Sequence, residues 1–281
     1  MNNIHFLVFI LVIVIILIIL IIDEDRTFND ITQNNAYPIV DYYWNKFPLP
    51  LLGLYNTIIR ISHPSHTHYF DSKYFNSIKI IEENFSIIQK EALNIYNKKK
   101  TMNMKDIGST FFDSIDEEKD KWKIYVIKWY DKINNNSIKN CPETCKIISQ
   151  LDDVHVAMFS ILEPGKVIIP HKGPSTACLR YHLGLKIPKD NDNCYIMVND
   201  EKFIWKEGEG MIFDDTYVHS VYNNTNETRI ILFIDIERPL MFPFNHINKS
   251  LISLSPFTKF VDNVNKNVEE KSSITKELFT V

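Results

Sequence analysis

The sequence predicts a mostly β domain of the jelly-roll kind with flanking helices, preceded by an N-terminal transmembrane helix. Three observations carry that expectation. From Val154 to Ile236 apolar residues recur with a period of two, in short runs broken by turn residues. Ahead of them Ile78, Ile81, Phe85, Ile88, Ala92 and Ile95 step by threes and fours, which is one face of an amphipathic helix. Ahead of both, Phe6 to Ile22 is an unbroken run of Phe, Leu, Val and Ile.

Taken in order, the apolar run comes first. At 1.5 Å per residue it reaches about 26 Å, close to the ~30 Å hydrocarbon core of a bilayer. It ends directly in Asp23-Glu24-Asp25-Arg26, without the small-residue site of a cleaved leader, so residues 1–22 read as a retained membrane anchor. The free amino terminus before the run and the acidic cluster after it favour the N-terminus in the cytosol and the body on the lumenal side of a secretory compartment. Pro38, Pro48, Pro50 and Pro64 make residues 23–66 a juxtamembrane linker. The catalytic-sized unit is then 67–245, with 246–281 as a C-terminal tail. A chain of 281 residues has room for one such domain plus extras.

Within the unit, the amphipathic helix ends at Lys98-Lys99-Lys100, and an aromatic-rich segment surrounds Trp122 and Trp129. Strands are expected at Val154 to Leu162, Leu179 to Ile187, Tyr195 to Val198, Lys202 to Trp205, Met211 to Phe213, Val218 to Tyr222 and Thr228 to Ile236. Five of the seven Gly lie between 165 and 210, among these turns. Seven or eight short strands with no helix-length interruption suggest a sandwich or barrel. The formal charge of -4 lacks the basic footprint of a nucleic-acid binder, and four Cys are too few for a disulfide scaffold.

Chemistry follows from which side chains share a strand face. Arg180, His182, Gly184 and Lys186 alternate with Leu179, Tyr181, Leu183 and Leu185, so two polar groups project together. Arg229 is in line with Ile231 and Phe233, one cation on a mostly apolar face. If that face points inward the Arg needs an anion; if the strand end is exposed, the Arg snorkels to water. Only five residues of the chain are Arg, and the other 26 basic residues are Lys, so an Arg marks a place where a planar fork is wanted. His171 and His219, on neighbouring strands, can converge on one Fe(II) or similar ion.

Phe159-Ser160-Ile161-Leu162-Glu163-Pro164-Gly165, Pro170-His171-Lys172-Gly173-Pro174, Leu179-Arg180-Tyr181-His182-Leu183-Gly184-Leu185, Trp205-Lys206-Glu207-Gly208, Ile212-Phe213-Asp214-Asp215-Thr216 with His219, and Arg229 to Asp235 follow one another in an order and spacing that resemble the aspartyl/asparaginyl β-hydroxylase family. The resemblance is strong over about 154 to 240 and weaker back to Tyr69. It implies a double-stranded β-helix holding Fe(II) and 2-oxoglutarate, with His171 and His219 as metal ligands and Gly173 where related oxygenases carry a carboxylate ligand. It further implies Arg229 and Ser160 at the distal carboxylate of 2-oxoglutarate, with Arg180 and His182 near its metal-bound end. Asp214 and Asp215 are left as turn residues or groups behind the ligands, and Arg238, outside the motifs, as a position that tolerates change. A cysteine pair near the substrate cleft is also implied, and Cys141 and Cys145 stand there at a shorter spacing.

The leading expectation is a membrane-anchored 2-oxoglutarate-dependent dioxygenase that hydroxylates Asp or Asn side chains of a protein. Two others stand beside it: the same chemistry on a membrane lipid acyl chain, and a non-catalytic jelly-roll binding module. Sequons at Asn84, Asn135, Asn223, Asn226 and Asn248 would suit a lumenal body.

Overall fold

A computed structural model describes residues 55–57, 59, 67–107, 120–173, 175–257 and 259–277. The strands begin with β1 (Tyr69–Phe70), β2 (Met102–Asn103), β3 (Trp122–Trp129) and β4 (Lys132–Ile133). They continue through β5 (Val154–Leu162), β6 (Val167–His171), β7 (Cys178–Lys186), β8 (Cys194–Val198), β9 (Glu201–Ile204), β10 (Gly210–Phe213), β11 (His219–Asn223) and β12 (Arg229–Glu237). Helices are α1 (Asn76–Glu83), α2 (Phe85–Asn97), α3 (Asn135–Asn140), α4 (Pro142–Ser149), α5 (Phe244–Leu254) and α6 (Lys259–Glu277). The expected single helix is two, parted at Asn84, whose side-chain amide donates to the Ile80 carbonyl.

Two sheets form, one of eight strands in the order β1-β10-β7-β12-β5-β3-β2 with β4 beside β3, and one of four in the order β6-β11-β8-β9. The large sheet is covered on both faces. Its outer side chains, among them Tyr125, Phe159, Leu183 and Leu232, pack with Ile78, Ile81, Ile88, Ile95 and Ile148 of α1, α2 and α4. Its inner side chains, among them Trp122, Met158, Ile231 and Phe233, pack with Ile168, Ile196, Val198 and Val221 of the small sheet. The small sheet is narrower than the large one, and α6 joins the inner layer through Val261, Val264 and Val268.

This corrects the expected fold class. The protein is a mixed α/β fold with two open sheets, not a mostly β closed double-stranded β-helix: the large sheet ends in two-residue strands, and among the described residues no ladder joins it to the small one. A period of two reports a buried face, but it is silent on whether sheets close or what covers their backs.

The transmembrane expectation is corrected as well. No helix among the described residues is long and apolar enough to cross a membrane. The longest, α6, carries Asp262, Lys266, Glu269, Glu270 and Lys271. Phe6 to Ile22 lies outside the described residues, so neither a single-pass topology nor a membrane partner stands on this structure. The sequons divide: Asn223 and Asn248 are fully buried and hydrogen-bonded, whereas Asn84, Asn135 and Asn226 lie at or near the surface.

Candidate active site

The site forms where β6 and β11 bring His171 and His219 opposite each other on the small sheet. Their ring centroids are 4.1 Å apart. Each ring is pinned by a carbonyl two residues back: Nδ1–H of His171 donates to Ile169 O at 2.7 Å, and that of His219 to Tyr217 O at 3.0 Å. With the proton on Nδ1, Nε2 carries the lone pair, the tautomer a metal ligand needs. Burial holds both rings neutral, lowering His171 to about 4 and His219 well below the usual range. Gly173 is required nearby, since a Cβ there would lie 2.2 Å from Oδ2 of Asp215.

Arg180 does not reach forward as a free cation. Its Nη2 lies 2.9 Å from Oδ2 of Asp215 and its Nε 2.8 Å from Oδ1 of Asp235, while its guanidinium covers the Phe233 ring at 4.2 Å. Burial pushes the Asp215 carboxyl up to about 7, against the pull of Arg180. Asp214 is also engaged: Oδ1 accepts from the backbone N–H and hydroxyl of Thr216, and Oδ2 from Arg238. Arg238 is therefore not the tolerant position expected, because it is buried and also donates through Nε to Thr176 O.

From the His pair an aromatic line runs inward between the sheets. Phe213 lies 5.6 Å from His219 and 5.2 Å from His182, and His182 lies 5.4 Å from Phe233 and 6.0 Å from Trp205. His182 is 4% exposed, neither ring nitrogen is hydrogen-bonded among the described residues, and burial drives its pKa well below normal. At the inner end Arg229 is 1% exposed. Its Nη2 donates to the Ser160 hydroxyl at 3.0 Å, and among the described residues its Nε has no partner and no carboxylate pairs with it. Burial lowers its pKa to about 10. Leaving such groups unpaired costs about 1–3 kcal/mol each, more for a charge.

The groups of this inner layer fit the expected ligands. Two neutral, pinned histidines suit a divalent metal, and a buried guanidinium lacking an anion suits a carboxylate. Among the described residues no cluster of three or more His, Cys, Asp or Glu is disposed to hold a metal. Cys141 and Cys145 are buried free thiols with Sγ atoms 4.0 Å apart. Sequence reading did not anticipate the unpaired indole N–H of Trp205 or the double engagement of Arg180.

The chain is 39% identical over 141 residues to the ornithine lipid ester-linked acyl 2-hydroxylase of Rhizobium tropici, a match covering 50% of each chain. It is 30% identical over 178 residues to the aspartyl/asparaginyl beta-hydroxylase of Mus musculus, covering 62% of this chain and 23% of that one. To the aspartate beta-hydroxylase domain-containing protein 2 of Xenopus tropicalis it is 28% identical over 177 residues, covering 58% and 45%. It thus spans half the length or less of these relatives. A family model described as aspartyl/asparaginyl beta-hydroxylase matches residues 82–239, more than half of the chain. By that match, the chain belongs to the aspartyl/asparaginyl β-hydroxylase family.

Proposed function

We propose that this protein is an Fe(II)- and 2-oxoglutarate-dependent hydroxylase. The observation that carries the reading is the alignment of two buried, Nδ1-pinned histidines with an unpaired, buried arginine along one inner layer. His171 and His219 would hold the metal through Nε2. Arg229 and Ser160 would hold the distal carboxylate of 2-oxoglutarate, and His182 would sit along its length. When bound, the metal and cosubstrate supply the oxidation, with dioxygen, that converts a substrate C–H to C–OH while 2-oxoglutarate becomes succinate and CO2.

The chain's own residues do the rest. Ile169 and Tyr217 carbonyls set the imidazole tautomers. Arg180, held between Asp215 and Asp235, ties the turn before β11 to the large sheet and so fixes the approach to His219. Phe213, Phe233 and Trp205 exclude water from the inner layer, which strengthens any charge pair made at Arg229.

For substrate, the leading reading is an Asp or Asn side chain of a protein, supported by the family. A second is a lipid acyl chain, favoured by the 39% identity to an acyl 2-hydroxylase. Incubation of the purified chain with Fe(II), 2-oxoglutarate and either Asp- and Asn-containing peptides or extracted lipids, followed by mass spectrometry, separates them. A gain of one oxygen in one pool, absent with His171→Ala, supports that substrate class. Absence of 2-oxoglutarate turnover under every condition would sink the reading.

A further inference from the structure

Trp205 is fully buried, and its indole N–H meets no hydrogen-bond acceptor among the described residues. Indole nitrogen donates only, so no change of tautomer or rotation of a proton can satisfy it. A phenylalanine would fill apolar space there without that cost.

The placement of the ring is built. Segment 205–209 lies directly against β7 because Gly184 presents no side chain, and a Cβ there would stand 2.2 Å from the Lys206 carbonyl oxygen. Gly184 N–H donates to Glu209 O, and Gly208 N–H to Gly184 O. The indole is thereby set under the Arg229 guanidinium, whose Cζ is 4.9 Å from the ring centroid.

Around that point donors outnumber acceptors. Ser160 Oγ accepts from both Arg229 Nη2 and Trp122 Nε1, so its own proton is left to donate. Arg229 Nε–H and Trp205 Nε1–H have no acceptor. Three donor groups gather with nothing among the described residues to receive them, and a carboxylate, with about four lone-pair sites, matches that set.

We propose that Trp205 donates its indole N–H to the distal carboxylate of 2-oxoglutarate, as a further cosubstrate-binding residue beside Arg229 and Ser160. The proposal rests on the cosubstrate reading above and assigns it one more contact. Trp122, by occupying a lone pair of Ser160, orients the Ser160 hydroxyl toward the same oxygen atoms.

The test is calorimetric titration of 2-oxoglutarate into the Mn(II)-loaded 281-residue chain, together with thermal unfolding without ligand. Wild type, Trp205→Phe and Arg229→Lys are compared with a chain carrying benzothienylalanine at position 205, which keeps both rings and lacks the N–H. The benzothienylalanine chain should bind 2-oxoglutarate about tenfold more weakly, ~1.4 kcal/mol, and melt without ligand no lower than wild type. Trp205→Phe should weaken binding at least as much. Unchanged affinity in the benzothienylalanine chain, with Arg229→Lys weakened, overturns the role of Trp205 alone. Failure of wild type to bind 2-oxoglutarate overturns the cosubstrate reading itself.

Discussion

Nη2 of Arg238 lies 2.5 Å from Oδ2 of Asp214, and both side chains are buried. The pair joins the end of β12 to the turn that delivers His219, so an arginine outside the recognisable motifs bears on the candidate metal site. Arg238→Ala should cost about 3–5 kcal/mol, the range for leaving a buried charge without its partner. Urea unfolding measures it, and a loss under 1 kcal/mol would show the pair to be a surface ornament.

The two histidines should be individually indispensable. His171→Ala or His219→Ala should weaken Fe(II) binding by more than the about 10- to 100-fold that losing an outer hydrogen-bond partner costs. Anaerobic equilibrium dialysis reads this directly, and undiminished binding in both variants would mean that the ligands lie elsewhere.

Arg229→Lys keeps the charge and loses the fork. It should raise the 2-oxoglutarate requirement by about one to two orders of magnitude, at ~1.4 kcal/mol per decade, and leave Fe(II) affinity without cosubstrate nearly unchanged. Succinate formation against 2-oxoglutarate concentration distinguishes the two; coincident curves for wild type and variant contradict the assignment.

His182 predicts a pH dependence of stability. Its folded pKa lies well below 6.5, so below pH about 6.5 the unfolded chain binds a proton that the folded chain does not. Stability therefore falls as pH drops through that window and is flat above it, with a slope of up to about 1.4 kcal/mol per pH unit from this group. His182→Phe should make the acid limb of a stability–pH curve shallower. An unchanged slope would mean that the ring is already protonated in the fold.

Gly184→Ala would drive a Cβ against backbone, not against a yielding side-chain end. The expected loss is about 1–3 kcal/mol, as for other overpacking, and it should be accompanied by a change in Trp fluorescence as segment 205–209 lifts off β7. A neutral result would show that the segment can shift without cost.

Much of the domain was legible in the sequence for a simple reason: β5, β7 and β12 alternate between two buried layers, and that alternation put Arg180 with His182 and Arg229 with Phe233 on the inner side. Other parts left weaker traces. Strand β6 is short, lies at a sheet edge and contains Pro170, which breaks its pattern while leaving its last residue, His171, in place. In β3, most residues are buried whichever face they take, so no period survives. The partners of Arg180 come from positions 35 and 55 residues away in the chain, and no local spacing announces them. Nor could periodicity reveal that the back of the large sheet is clad in helices.

Helix α6 lies beyond the span matched by the family model, yet it puts three valines into the inner layer beside Met104 and Ile107 and ties Asn267 to the Ile107 carbonyl. A boundary drawn where the shared motifs stop would strip that cover and leave the β2–β3 margin wet. For this chain, then, the stretch that carries kinship and the stretch that completes the packed fold are different lengths, and the second runs well past the first.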